Sequence, residues 1–124
     1  ELERWSKMAE NIAEAKAASI VEAMLENKAG EIVRIDLTEK STVTDFFVIG
    51  TFNTPTHLKD TREKIVDRLE SFGGKPHRAE GADESGWVLL DAGDVVVHLM
   101  LKREREYYNL ERTWGDAPLS RFEA

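Results

Sequence analysis

Apolar residues recur along this chain at two spacings, and the switches between them mark out its elements. Ala17, Ile20, Val21, Met24 and Leu25 fall on one face of a helix, while Glu14, Lys16, Glu22 and Glu26 are placed for solvent. This amphipathic helix is expected to end near Gly30. Trp5, Met8 and Ile12 also stand at helical spacing, so the helix either continues upstream or follows a separate short one. Glu31 to Leu37 is rich in β-branched and apolar residues. Within Thr44 to Gly50, the run Phe46, Phe47, Val48, Ile49 has the unbroken apolar character of a central strand buried on both faces. The polar stretch Thr38 to Thr42 between them is short enough for an antiparallel hairpin.

Thr54-Pro55 has the form of a helix N-cap followed by proline in the first turn, and Gly73-Gly74 supplies a stop. Between these signals Leu58, Thr61, Ile65, Leu69 and Phe72 make an apolar face, with Lys59, Glu63, Lys64, Asp67 and Arg68 opposite. Lys75 to Glu80 reads as a short strand that Pro76 confines to a sheet edge. Trp87 to Leu90 and Val95 to Leu101 are strands joined through Asp91-Ala92-Gly93-Asp94, whose residues suit a tight turn, so they should pair as a hairpin. Tyr107, Leu110 and Trp114 stand at helical spacing on a short closing helix, and Gly115 to Ala124 shows little periodicity. The order α-β-β-α-β-β-β-α predicts an α/β fold, a mixed β-sheet with flanking helices.

At 124 residues the chain is expected to form one domain. No run approaches the roughly 18 apolar residues of a membrane span. The acidic opening Glu1 to Glu10 lacks the order of a signal peptide, and there is no cysteine, so the cytoplasm is the expected compartment. A net charge of −7 repels a phosphate backbone, which argues against direct nucleic-acid readout and favours a basic protein as partner. Charge of this size also serves solubility alone.

Catalytic chemistry finds little support. His57, His77 and His98 fall at a helix start, an edge strand and an inner hairpin strand, a spacing unlike that of zinc ligands, and no metal or cofactor is expected. Asp91 and Asp94 read better as turn residues bonding nearby amides than as cation ligands or an acid-base pair. Gly50-Thr51-Phe52-Asn53-Thr54 precedes a helix, but lacks both GxGxxG spacing and a Walker lysine, and a helix cap explains it. The aromatics are more informative. Trp87, Tyr107, Tyr108 and Trp114 lie near Arg103 and Arg105, and Trp, Tyr and Arg most often anchor protein interfaces. Tyr107 and Tyr108, being adjacent, cannot both face inward, so at least one is available to a partner.

Several segments carry a resemblance: Thr44-Asp45-Phe46-Phe47-Val48-Ile49-Gly50-Thr51, then Glu80-Gly81, then Trp87 through His98, then Arg105 through Trp114. In order and spacing, from about Lys16 to Trp114, the chain resembles the ribosome silencing factor family, also called Iojap-related proteins. The resemblance implies a nucleotidyltransferase-like α/β fold without transferase activity and a homodimer. It implies binding to the large ribosomal subunit through its protein fourteen, which blocks subunit joining and represses translation. Residues 1–15 then form an N-terminal extension, 16–114 the silencing-factor domain and 115–124 a tail. The partner-binding residues expected from the hairpin and closing segment are Trp87, Leu89, Asp91, His98, Met100, Arg105 and Tyr108, with no catalytic residue. Where the family commonly has Thr-Gly-x-Ser and then Arg-His or Arg-Gln, this chain has Thr51-Phe52-Asn53-Thr54 and Thr56-His57. A general interaction module ranks second, and nucleotidyl transfer third: Gly50 is followed by Thr51 rather than serine, and no Asp-x-Asp/Glu pattern follows the helix.

Overall fold

A computed structural model describes residues 2–73 and 78–123, with the side chains of the first helix described from Ile12 onward. The amphipathic pattern at the start resolves into one continuous helix, α1 (Leu2–Glu26). Three of its alanines, Ala13, Ala17 and Ala23, are fully buried beside Ile20 and Met24, and their small side chains let the helix axis lie close to the sheet. The side chains of Trp5 and Met8 lie outside the described residues. Asn27 closes the helix by donating its side-chain amide to the Ala23 carbonyl at 2.7 Å, and Lys28 takes a left-handed φ of 59°.

The two apolar runs that follow become β1 (Gly30–Asp36) and β2 (Phe46–Phe52), paired antiparallel as the short polar connection requires. Helix α2 (Pro55–Glu70) starts at the expected cap, with Thr54 Oγ1 accepting from the His57 amide at 3.1 Å, and buries Leu58, Thr61, Ile65 and Leu69. Phe72 lies past its end and is 39% exposed, so it does not extend the apolar face. Strand β3 (Arg78–Glu80) is an edge strand pairing antiparallel with β4 (Trp87–Asp91), and between them lies one 3₁₀ turn (Asp83–Ser85). The earlier part of the expected edge strand, including Pro76 and His77, lies outside the described residues. Strand β5 (Val95–Leu101) closes the predicted hairpin with β4 and runs parallel to β2. In the turn, the Gly93 amide donates to Asp91 Oδ1 at 2.9 Å, the amide-bonding role expected of a turn aspartate.

Two further features depart from the sequence reading. The closing helix is broken into α3 (Lys102–Tyr107) and α4 (Leu110–Thr113). Asn109 causes the break: its side chain accepts from the Arg112 amide at 3.1 Å, an N-cap that starts a new helix. The C-terminal segment also contains a strand, β6 (Leu119–Phe122), which pairs antiparallel with β1. Among the described residues the strands form one six-stranded mixed sheet, ordered β3-β4-β5-β2-β1-β6. β2 lies between β1 and β5, which is why its sequence is apolar but for Thr51.

Strand alternation divides the side chains between two faces. On one, α1 and α2 cover Val88, Leu90, Val95, Val97, Leu99, Phe46, Val48 and Phe52. Burial contributes about 1.5–3 kcal/mol for each large side chain there. Gly50 belongs to this face because α1 crosses it closely: a Cβ there would lie 2.7 Å from the Met24 sulfur. The glycine therefore serves packing against α1. On the other face a smaller cluster of Val33, Ile35, Leu37, Ile49 and Met100 is covered by Ala117, Leu110 and Trp114.

Candidate functional site

This second face carries the candidate site. The β4–β5 register sets Trp87 opposite Met100, Leu89 opposite His98 and Asp91 opposite Val96, so all six share one face. The parallel β2–β5 register continues the row to Thr51, Ile49 and Phe47. The cover supplied by Leu110, Trp114 and Ala117 packs with residues of β1, β2 and β5. Toward β4 the side chains of Leu89, Asp91 and Val96 remain half-buried.

At the centre, the indole N–H of Trp87 donates to His98 Nδ1 at 3.0 Å. The indole nitrogen is only a donor, so Nδ1 is an acceptor and the neutral ring holds its proton on Nε2. His98 is 3% exposed, its Nε2 has no hydrogen-bond partner among the described residues, and its ring meets Phe47 edge-on with centroids 4.6 Å apart. Burial, with the Arg105 charge adding to it, lowers the His98 pKa to about 4. The ring is therefore neutral at pH 7.

Arg105 is the second fixed point. It is 4% exposed, and its guanidinium donates to Thr51 Oγ1 on β2 at 2.9 Å and to the Glu111 carboxylate at 3.2 and 3.3 Å. The pair ties α3 and α4 to the sheet. Tyr108 follows α3 and packs over Trp87, ring centroids 4.8 Å apart.

The residues expected at the interface thus gather in one place but not in one role. Tyr108 is 45% exposed, and Trp87, Leu89 and Asp91 are half-buried, so these can be touched from outside. Met100 is fully buried and His98 and Arg105 nearly so, so in this chain they lie beneath the more exposed residues. Glu111 is paired with Arg105. Val96 was missed, although the period of two along β5 puts it in line with His98 and Met100. Thr51, as the anchor of Arg105, left no signal in the sequence, since the contact spans 54 positions.

Elsewhere, His57 Nε2 lies 2.5 Å from the Asn27 carbonyl, and Asp94 accepts from Lys16 Nζ at 2.7 Å. Among the described residues no three histidine, aspartate or glutamate side chains gather where they could hold a metal ion. Among the described residues no helix is long and apolar enough to cross a membrane.

Comparison with known proteins places this arrangement. The model of the family described as "Ribosomal silencing factor during starvation" matches residues 10–124. The chain belongs to the ribosomal silencing factor family. It is 42% identical over 95 residues to the ribosomal silencing factor RsfS of Bacillus subtilis, a match covering 77% of this chain and 80% of that one. It is 32% identical over 98 residues to the mouse protein named "Mitochondrial assembly of ribosomal large subunit protein 1", covering 77% of this chain and 43% of that protein. A crystal structure of a Chromobacterium violaceum protein superposes with a TM-score of 0.77 at 29% identity, covering 82% of this chain and 85% of that one. The fold read from the strand pattern is therefore the silencing-factor fold. The family is described by a silencing role, and neither its description nor these relatives' names indicate catalysis.

Proposed function

We propose that this protein binds the large ribosomal subunit through its protein fourteen and, by occupying it, blocks joining of the small subunit and represses translation. The observation that carries the reading is the match of the silencing-factor family model to residues 10–124. The name of the mouse relative associates that protein with the large subunit in particular. The exposed part of the β4–β5 face suits such a partner: Trp87 and Tyr108 are the residue types that anchor interfaces, Leu89 lies between strands beside them, and Asp91 adds negative charge. His98, Met100 and Arg105 act as supports. A net charge of −7 favours a basic ribosomal protein over bare RNA as the direct contact.

The same reading places the protein in the cytoplasm as a homodimer. Co-sedimentation tests the docking step: the purified protein should travel with isolated large subunits and not with small ones. Equal association with both, or with neither, contradicts it.

A further inference from the structure

A recess at the start of β4 shares Trp87 and Tyr108 with the expected interface and extends it to residues that the expectation did not include. It has a volume of about 540 Å³ and is lined by Ser85, Trp87, Arg103, Glu104, Tyr107 and Tyr108. Its walls are aromatic. Trp87 and Tyr108 pack 4.8 Å apart with planes tilted by 44°, and Tyr107 meets Tyr108 edge-on, also at 4.8 Å. Tyr107 is 80% exposed, so its ring contributes little to the core. The N–H of Trp87 is already engaged by His98, so the indole offers this recess no donor. Ring faces carry partial negative charge and attract cations.

Glu104 adds a full negative charge. Its side chain lies against Gly86, which takes a φ of 87° and whose position a Cβ could not share with the Glu104 carboxylate. Glu104 is half-buried and forms no ion pair with any described residue. Arg103 also lines the recess and has the opposite sign, but it is exposed. Solvent and salt screen an exposed charge more than one held against the protein wall. Arg103 and Glu104 cancel formally, and the carboxylate is the less screened of the two.

We infer that the notch walled by Trp87, Tyr107 and Tyr108 and floored by Glu104 receives one basic side chain, an arginine or lysine, of the protein partner. The inference rests on the reading that the partner is a protein docked on this face, and it names the chemistry by which that partner is held. An acidic or phosphate-bearing group would meet three aromatic rings and a carboxylate that has no ion pair among the described residues, with only the screened Arg103 in its favour.

The test uses the full chain and two small probes, N-acetyl-arginine methylamide and N-acetyl-glutamate methylamide, followed by the NMR shift of the Trp87 indole N–H. The arginine probe should give a saturable shift and the glutamate probe none. Glu104→Gln and Tyr107→Leu should each weaken the arginine probe by roughly three- to tenfold, while Tyr107→Phe restores most of that loss. Arg103→Gln should tighten it. No saturable shift from the arginine probe, preferential binding of the glutamate probe, or tighter binding by Glu104→Gln overturns the inference. Affinity of the same variants for isolated large subunits separates the two claims. If the wild-type chain fails to bind subunits, the proposed function falls, while the probe titration still decides the notch.

Discussion

The indole N–H of Trp87 donates to Nδ1 of His98, 3.0 Å away and diagonally across the β4–β5 pair. This one bond fixes the tautomer of a buried histidine and the orientation of a half-exposed tryptophan, so the surface residue is aimed by an interior one. Trp87→Phe keeps a ring under Tyr108 but leaves the buried Nδ1 without a donor, which should cost about 1–3 kcal/mol of stability. Urea denaturation of the two proteins measures it. Unchanged stability would mean that the bond does not hold the ring.

The same histidine predicts a pH dependence. Its folded-state pKa is about 4 against an ordinary 6.5, so between these values the unfolded chain binds a proton that the folded chain refuses. The stability from a neutral His98 is therefore complete above pH 6.5 and is lost as pH falls toward 4. At about 1.4 kcal/mol per pH unit the loss approaches ~3 kcal/mol. The difference between wild-type and His98→Gln stability, measured across this window, should shrink as the solution is acidified. A constant difference would show that His98 is not held neutral by its surroundings.

Arg105 and Arg103 lie two positions apart and should behave oppositely. Arg105→Met leaves Thr51 and the Glu111 carboxylate without their partner, and breaking a buried pair in this way should cost about 3 kcal/mol. Arg103→Met, on the exposed side of the same helix, should stay within about 0.5 kcal/mol of wild type. Thermal melts of both variants decide the matter. Comparable losses would remove Arg105 as the latch between the closing helices and the sheet.

The strand β6 gives a prediction of its own. It covers the outer edge of β1, pairing Leu119 with Ile35 and Arg121 with Val33, and Phe122 packs against the core. Removing residues 119–124 should bare that edge, lower stability and promote association through the exposed strand. Sedimentation velocity and melting of the shortened chain test this. A shortened chain as stable and as dispersed as wild type would mean that β6 contributes nothing to the fold.

Much of this architecture was legible because its causes are local. The Thr54-Pro55 cap, the apolar face from Leu58 to Leu69 and the Asp91 to Asp94 turn are each written within a few residues, and each appears where the pattern put it. The hairpin register followed from strand alternation, which is why Trp87, Leu89, Asp91, His98 and Met100 share a face. What was not legible depended on distant partners. Leu119–Phe122 is a strand because β1 offers it an unpaired edge, and its own residues alternate only between exposed and half-buried. The burial of Arg105 was not readable because arginine ordinarily favours water, whereas Thr51 and Glu111 satisfy this one inside. The break at Asn109 overrode helical spacing that runs on from Tyr107 to Trp114. A cap residue in mid-pattern was the available sign.

Light scattering on mixing small and large ribosomal subunits tests the central claim most directly. Large subunits preincubated with the wild-type protein should join small subunits more slowly and to a lower final extent, in proportion to the protein added. Leu89→Arg places a bulky charge at the middle of this half-buried face, opposite His98, and should abolish this effect, with a melt of the variant checking that the fold survives. Joining that proceeds at the same rate and to the same extent with saturating wild-type protein would contradict the account.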